Sequence, residues 1–183
     1  MSEELANEFS QILPTLSQND KLRAAILSLI DAEPIPGKAT EGGNRLEQFR
    51  QILRDLANNQ IGLQEAFLRV SRDLPRNTSP HSSSNRVFAD GWEERLVRIQ
   101  LSRFYNQAVM EKLIAEGETE CFVPHSSSED ATSPCSSQLA GSNQNLNTLH
   151  SLLTQAYGQG DFATKGVKIP NHPHCTHVVT RVK

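Results

Sequence analysis

The chain has 183 residues, with 18 basic against 21 acidic side chains and a formal net charge of −3, so it lacks the cationic surplus that tracks a nucleic-acid backbone. Apolar residues make up 37% and aromatic residues only 5%, which implies a core built mostly of Leu, Ile, Val and Ala, in one ordinary domain or two modest units. No apolar run is long enough for a membrane span, and the first residues lack the basic and apolar regions of a secretory signal, so a soluble protein made in the cytoplasm is expected.

Leu5, Phe9, Ile12 and Leu13 recur at helical spacing, and Pro14 is expected to close that first helix. A second helix starts at Asn19-Asp20, good capping residues, carries Leu22, Ile26, Leu29 and Ile30 on one face, and ends before Pro34 and Pro36-Gly37. After a polar loop, Leu46, Phe49, Ile52, Leu53 and Leu56 form the clearest amphipathic stripe in the chain. Ala66, Phe67, Val70 and Leu74 predict a fourth helix, ended by Pro75. Residues 1–74 therefore read as a small helical domain.

Composition then changes. Pro75 to Asn85 contains Pro-Arg-Asn-Thr-Ser-Pro-His-Ser-Ser-Ser-Asn, the make-up of a linker, which places a boundary at residues 75–89. From 90 onward an α+β unit is expected. Asp90 can cap a long helix running to about Glu116, with Trp92, Leu96, Ile99, Met110 and Leu113 on one side together with Arg103 and Asn106. Residues 120–124 read as a short strand, a Ser-rich loop runs through Ser137, and Leu146, Leu149, Leu152, Leu153 and Ala156 mark a last helix. The β-branched stretch 177–182 reads as a closing strand. The fold class is thus mainly α, or α+β: a small N-terminal helical bundle, then a long helix and a small unit with short strands.

Cys121, Cys135 and Cys175 are an odd number at spacings unlike a secreted disulfide framework, so reduced thiols or metal ligands are expected. The one dense cluster of metal-capable side chains is His172-Pro173-His174-Cys175-Thr176-His177. Zinc takes thiolate and imidazole in tetrahedral sets of four, and a tight turn stiffened by Pro173 lets His172, Cys175 and His177 converge while His174 points elsewhere. Cys135 is the preferred fourth ligand, with Cys121, His125 and Asp130 in reserve. The plainer alternative is that these are ordinary surface and core residues, since buried Cys is a common small hydrophobe.

Catalytic patterns are weaker. Glu129 and Asp130 are possible bases for a metal-dependent hydrolase or transferase, but H-E-x-x-H is absent, and Pro134-Cys135 has Gln138 where a deaminase has its second Cys. Cys135 with His125 or His150 could form a nucleophile–base pair, without any local signature. The Ser-rich stretches 82–84, 126–128 and 136–137 read as solvated loops. Arg103 and Asn106 read as braces for a neighbouring loop, with partner recognition as the alternative. A regulatory helical adaptor working through residues 44–74 is a third reading of the whole chain.

Taken in order, Arg103-Phe104-Tyr105-Asn106-Gln107-Ala108, Gly117, the acidic Glu129-Asp130, Cys135-Ser-Ser-Gln-Leu139-Ala-Gly141 and the closing 169–178 stretch resemble the C-terminal domain of phage Mu F-like minor head proteins. The resemblance covers about half of the chain. His172, Pro173, Cys175, Leu139, Gly141 and Asn106 match that family's pattern. His177 stands where the family usually has its last Cys, a single Cys precedes Leu139, and the first unit is shorter than the family's N-terminal region. The resemblance implies a non-enzymatic virion or prophage component, located in the virion or the bacterial cytoplasm, that contacts portal or capsid subunits and whose zinc cluster closes a small fold.

Overall fold

The computed structural model describes residues 4–183, so the first three residues of the expected N-terminal unit lie outside the described residues. Among the described residues the fold is mainly helical, with one small antiparallel sheet. Its elements are α1 (Ile12–Gln18), α2 (Asp20–Ala32), α3 (Arg45–Ala57), α4 (Leu63–Asp73), α5 (Trp92–Ala115), β1 (Glu120–Val123), β2 (Ser142–Asn145) and α6 (Leu146–Leu153).

Pro14 does not end the first helix; it lies in the opening turn of α1. The first N–H groups of a helix have no intrahelical acceptor, so a residue lacking one costs nothing there. Asn19 caps α2 as expected, its Oδ1 accepting from Leu22 N at 3.0 Å. Asp90, by contrast, does not cap α5. Gly91 occupies that position with φ +81, and the Asp90 carbonyl accepts from Arg95 Nη1 at 2.7 Å.

The expected linker is built into the structure. Arg45 is fully buried at the start of α3, and its guanidinium donates to Ala39 O, Pro75 O and Thr78 Oγ1. Arg76 donates to Ser82 O and Asn85 Oδ1, and the side chains of Arg45 and Arg76 both face the buried Phe88 ring. Polar composition conceals this order because carbonyls and side-chain oxygens, with the one ring of Phe88, supply the partners in place of an apolar stripe.

Nor does the core break at residues 75–89. One continuous cluster joins Ile12, Ile26, Phe49, Ile52 and Val70 to Val97, Phe104, Val109, Leu146, Leu153 and Val178. The helix α5 packs against α2, α4 and α6 and is buried on all sides from Gln100 to Met110. A helix inside the molecule has no solvated face, so the single stripe expected of α5 is replaced by burial all round.

β1 pairs with β2 in the register Glu120 opposite Asn145 through Val123 opposite Ser142. The strand β2, Ser-Asn-Gln-Asn, has no apolar alternation and was not foreseen. It is fixed instead by its neighbours: Gly141 N donates to Val123 O at 2.7 Å, and Asn145 Oδ1 caps α6 through Thr148 N. The expected closing strand is reduced to one bridge, Phe122 with Thr180, whose two amides and carbonyls are exchanged at 2.8 Å. Val178 and Val179 are buried there, which accounts for their strand-like chemistry without a ladder.

Candidate metal centre

Four pieces of chain build the centre. The loop after β1 brings Glu129. A short helical turn, Cys135–Leu139, follows Pro134, and Ser133 tightens its entry, since Ser133 Oγ accepts from Ser136 N at 3.4 Å. The closing segment 172–177 turns on itself, with Cys175 N donating to His172 O at 3.0 Å. Finally α5 lies behind, where Asn106 Oδ1 accepts from Val179 N at 2.8 Å and holds the chain just past His177.

The ligand-capable atoms of Cys135, Cys175 and His177 lie within 4.8 Å of one another, and all three residues are buried. Cys175 Sγ is 3.7 Å from Cys135 Sγ and 3.8 Å from His177 Nδ1. His172 stands at the edge of this trio, half-buried, with Nε2 at 3.7 Å from Cys135 Sγ. A tetrahedral ion with bonds of about 2.3 Å to sulfur and about 2.0 Å to nitrogen holds its donors roughly 3.5–3.8 Å apart. The spacing fits such an ion, and the set of soft thiolates with imidazoles suits a borderline metal over calcium or magnesium.

Electrostatics divide the two thiols. Hydrogen bonds from Cys175, His177, Ser133 and His172 outweigh burial and pull the Cys135 thiol down to about 3. Cys175 is pushed well up by its proximity to Cys135 and by burial. One thiolate forms readily, and the second needs a cation beside it. At His177 burial disfavours the imidazolium, but Cys135 and Glu129 reverse that and raise its pKa. His177 Nε2 meets Glu129 Oε2 at 2.5 Å, and Glu129 Oε1 meets His125 Nδ1 at 2.7 Å. Burial opposes the Glu129 charge, yet these two imidazoles hold its pKa below the ordinary glutamate value.

Three of the four expected ligands thus converge, and His172 reaches the group through Cys135. The reserves do not join them. Cys121 is buried on β1, its thiol pushed up to about 12 by burial, and His125 is spent on Glu129. Asp130 is exposed and accepts from Thr132 N and Oγ1. His174 is exposed, as its position in the turn implied. The pairing of Cys135 with His125 or His150 is not formed: His150 Nε2 meets Glu111 Oε1 at 3.1 Å, across α6 and α5.

Arg103 and Asn106 are both fully buried. Arg103 Nη1 donates to Pro34 O and its guanidinium lies over the Phe104 ring, while burial lowers its pKa to about 10. Both side chains brace neighbouring chain. Not all of the Ser-rich stretches are solvated loops either, since Ser126 and Ser136 are buried, and Ser126 and Ser127 both donate to Glu8. Ser133, Ser136 and the link from Asn106 to Val179 went unrecognised in the sequence. The Ser-x-x-Ser spacing at 133–136 was the available signal for the first two.

The fold and site together define a mainly helical protein with a buried Cys/His cluster able to hold a metal ion. No family model, curated protein or solved structure matches the chain. Among the described residues, no helix is long and apolar enough to cross a membrane.

Proposed function

We propose that the chain is a structural component of a phage or prophage virion, working among portal or capsid subunits, and that Cys135, Cys175, His177 and His172 hold a structural zinc ion. The observation that supports the closed, structural reading is the burial of both thiols and of His177, which leaves no sulfur facing a substrate. A catalytic zinc instead keeps an open position beside an acid or base, and Glu129 is already engaged by His177 and His125. Support for the virion role comes from the order of residues shared with the Mu F-like minor head proteins, and the chain's acidic net charge is in keeping with protein partners.

His172 favours a second reading. Because it sits half-buried at the rim, a water in its place would give three protein ligands and an open position, the arrangement of a metal-dependent hydrolase.

Metal analysis of the purified full chain tests the centre: about one zinc per chain in the wild type and none in Cys175→Ser is expected. A metal-free wild type overturns it. For the assembly role, particles purified from induced source cells should contain the chain by mass spectrometry, and intact particles without it overturn that role.

A further inference from the structure

The loop carboxylate Glu129 is joined to the cluster by a geometry that no ligand count explains. Its Oε2 meets His177 Nε2 at 2.5 Å, and Ser136 Oγ lies 3.3 Å from that oxygen and 3.4 Å from the same ring nitrogen. The opposite ring nitrogen, Nδ1, faces Cys175 Sγ at 3.8 Å. His177 is only 1% exposed, so its two nitrogens have these protein groups as partners in place of solvent. An imidazole that ligates a metal is neutral, with one N–H and one lone pair. A carboxylate accepts and never donates when ionised, so its presence at Nε2 assigns the proton to that nitrogen and the lone pair to Nδ1.

We propose that Glu129 is the positioning residue of the metal centre: by accepting Nε2–H it makes Nδ1 the ligand atom of His177, on the side that faces Cys175 Sγ. This rests on the metal reading above. The carboxylate also increases the electron density of the ring, which strengthens its bond to a metal, and such outer partners contribute about 10–100-fold to metal affinity. Its second oxygen, bonded to the exposed His125, fixes the carboxylate from the solvent side. Glu129 therefore spans the wall of the centre, one oxygen inside and one outside.

The test uses the full chain with zinc alone, in competition with a chelator of known affinity. Glu129→Ala is expected to bind one zinc about 10–100-fold more weakly, and Glu129→Gln, which keeps an acceptor without the charge, is expected to fall between it and the wild type. Thr132→Ala, whose hydroxyl donates only to the exposed Asp130, should leave the zinc affinity unchanged. Side-chain nitrogen NMR of the zinc-loaded wild type should find His177 Nδ1 bound to metal and Nε2 protonated. Wild-type affinity in both Glu129 variants, or metal on Nε2, overturns the assignment while leaving the centre standing. A wild type that takes up no zinc overturns the centre and this assignment with it. Should Glu129→Ala not fold, the Glu129→Gln affinity and the wild-type nitrogen spectrum decide the matter.

Discussion

The helices between residues 12 and 73 and the segment that follows β1 reach the same degree of burial by different means. In the first region Ile12, Leu16, Ile26, Phe49, Ile52, Leu53 and Val70 are all fully buried, and helical spacing alone aligns them. In the second, residues 124–141 and 159–183 have little regular structure, and their order comes from individual side chains: Glu129 on His177, Ser133 on Cys135, Asn106 on Val179, and Tyr157 Oη donating to Pro170 O at 2.8 Å. Non-directional packing tolerates substitution by similar shapes, whereas a bond between two named polar atoms fails as a unit when one is removed. The first region should yield gradually, and the second locally and all at once.

The largest effect expected belongs to the helices. Phe49→Ala should lower global stability by about 3–5 kcal/mol in urea unfolding while leaving zinc stoichiometry in the absence of denaturant unchanged. A parallel loss of zinc would mean that the two regions are one cooperative unit. Asn106→Ala comes next. It leaves the buried Val179 N–H without its acceptor, at a cost of about 1–3 kcal/mol, and amide exchange should quicken around residues 176–182. Equal acceleration in α2 and α3 would remove the distinction.

The smallest effect concerns Glu116, which joins the end of α5 to the tail. Hydrogen bonds from Arg181 and Lys112 lower its carboxyl to about 2, below an unfolded value of about 4.3. A depressed acid stabilises the fold above its unfolded pKa, and that contribution is lost as pH falls through the folded value. The side chains are about a third exposed, so screening keeps the worth below about 1 kcal/mol. Glu116→Gln should therefore be slightly less stable than wild type near pH 6, the gap closing toward pH 2 and in high salt. A gap that persists at the lowest pH would point to packing instead of charge.

This contrast also explains what could be read from the residues in order. The helices α2, α3 and α4 were legible because their stripes repeat at 3.6 residues, and Asn19 marks its own cap. The convergence of Cys135 on the 172–177 turn was legible from ligand chemistry. What was hidden depends on pairs far apart in the chain: Arg45 ordering residues 75–78, β2 recruited by β1, and Asn106 receiving Val179 N–H. Neither partner in such a pair carries a local pattern, so periodicity and composition pass over both. Burial of α5 on all sides erased its stripe for a related reason, since contacts from several elements leave no one face marked.

The residues before α1 carry one more consequence. Ala6 N donates to Tyr105 Oη, Glu8 accepts from Ser127 Oγ 119 positions away, and Phe9 N donates to Thr176 O in the closing turn that carries Cys175 and His177. During synthesis these groups emerge before their partners, which lie on α5, in the Ser-rich loop and finally on the closing turn. The helices can collapse as they appear, but Phe9 N gains its acceptor only when residue 176 arrives. Completion of the turn is thus a late event that fastens Phe9 to Thr176, and a ribosome-bound chain halted before it should leave the backbone around Phe9 more open to protease.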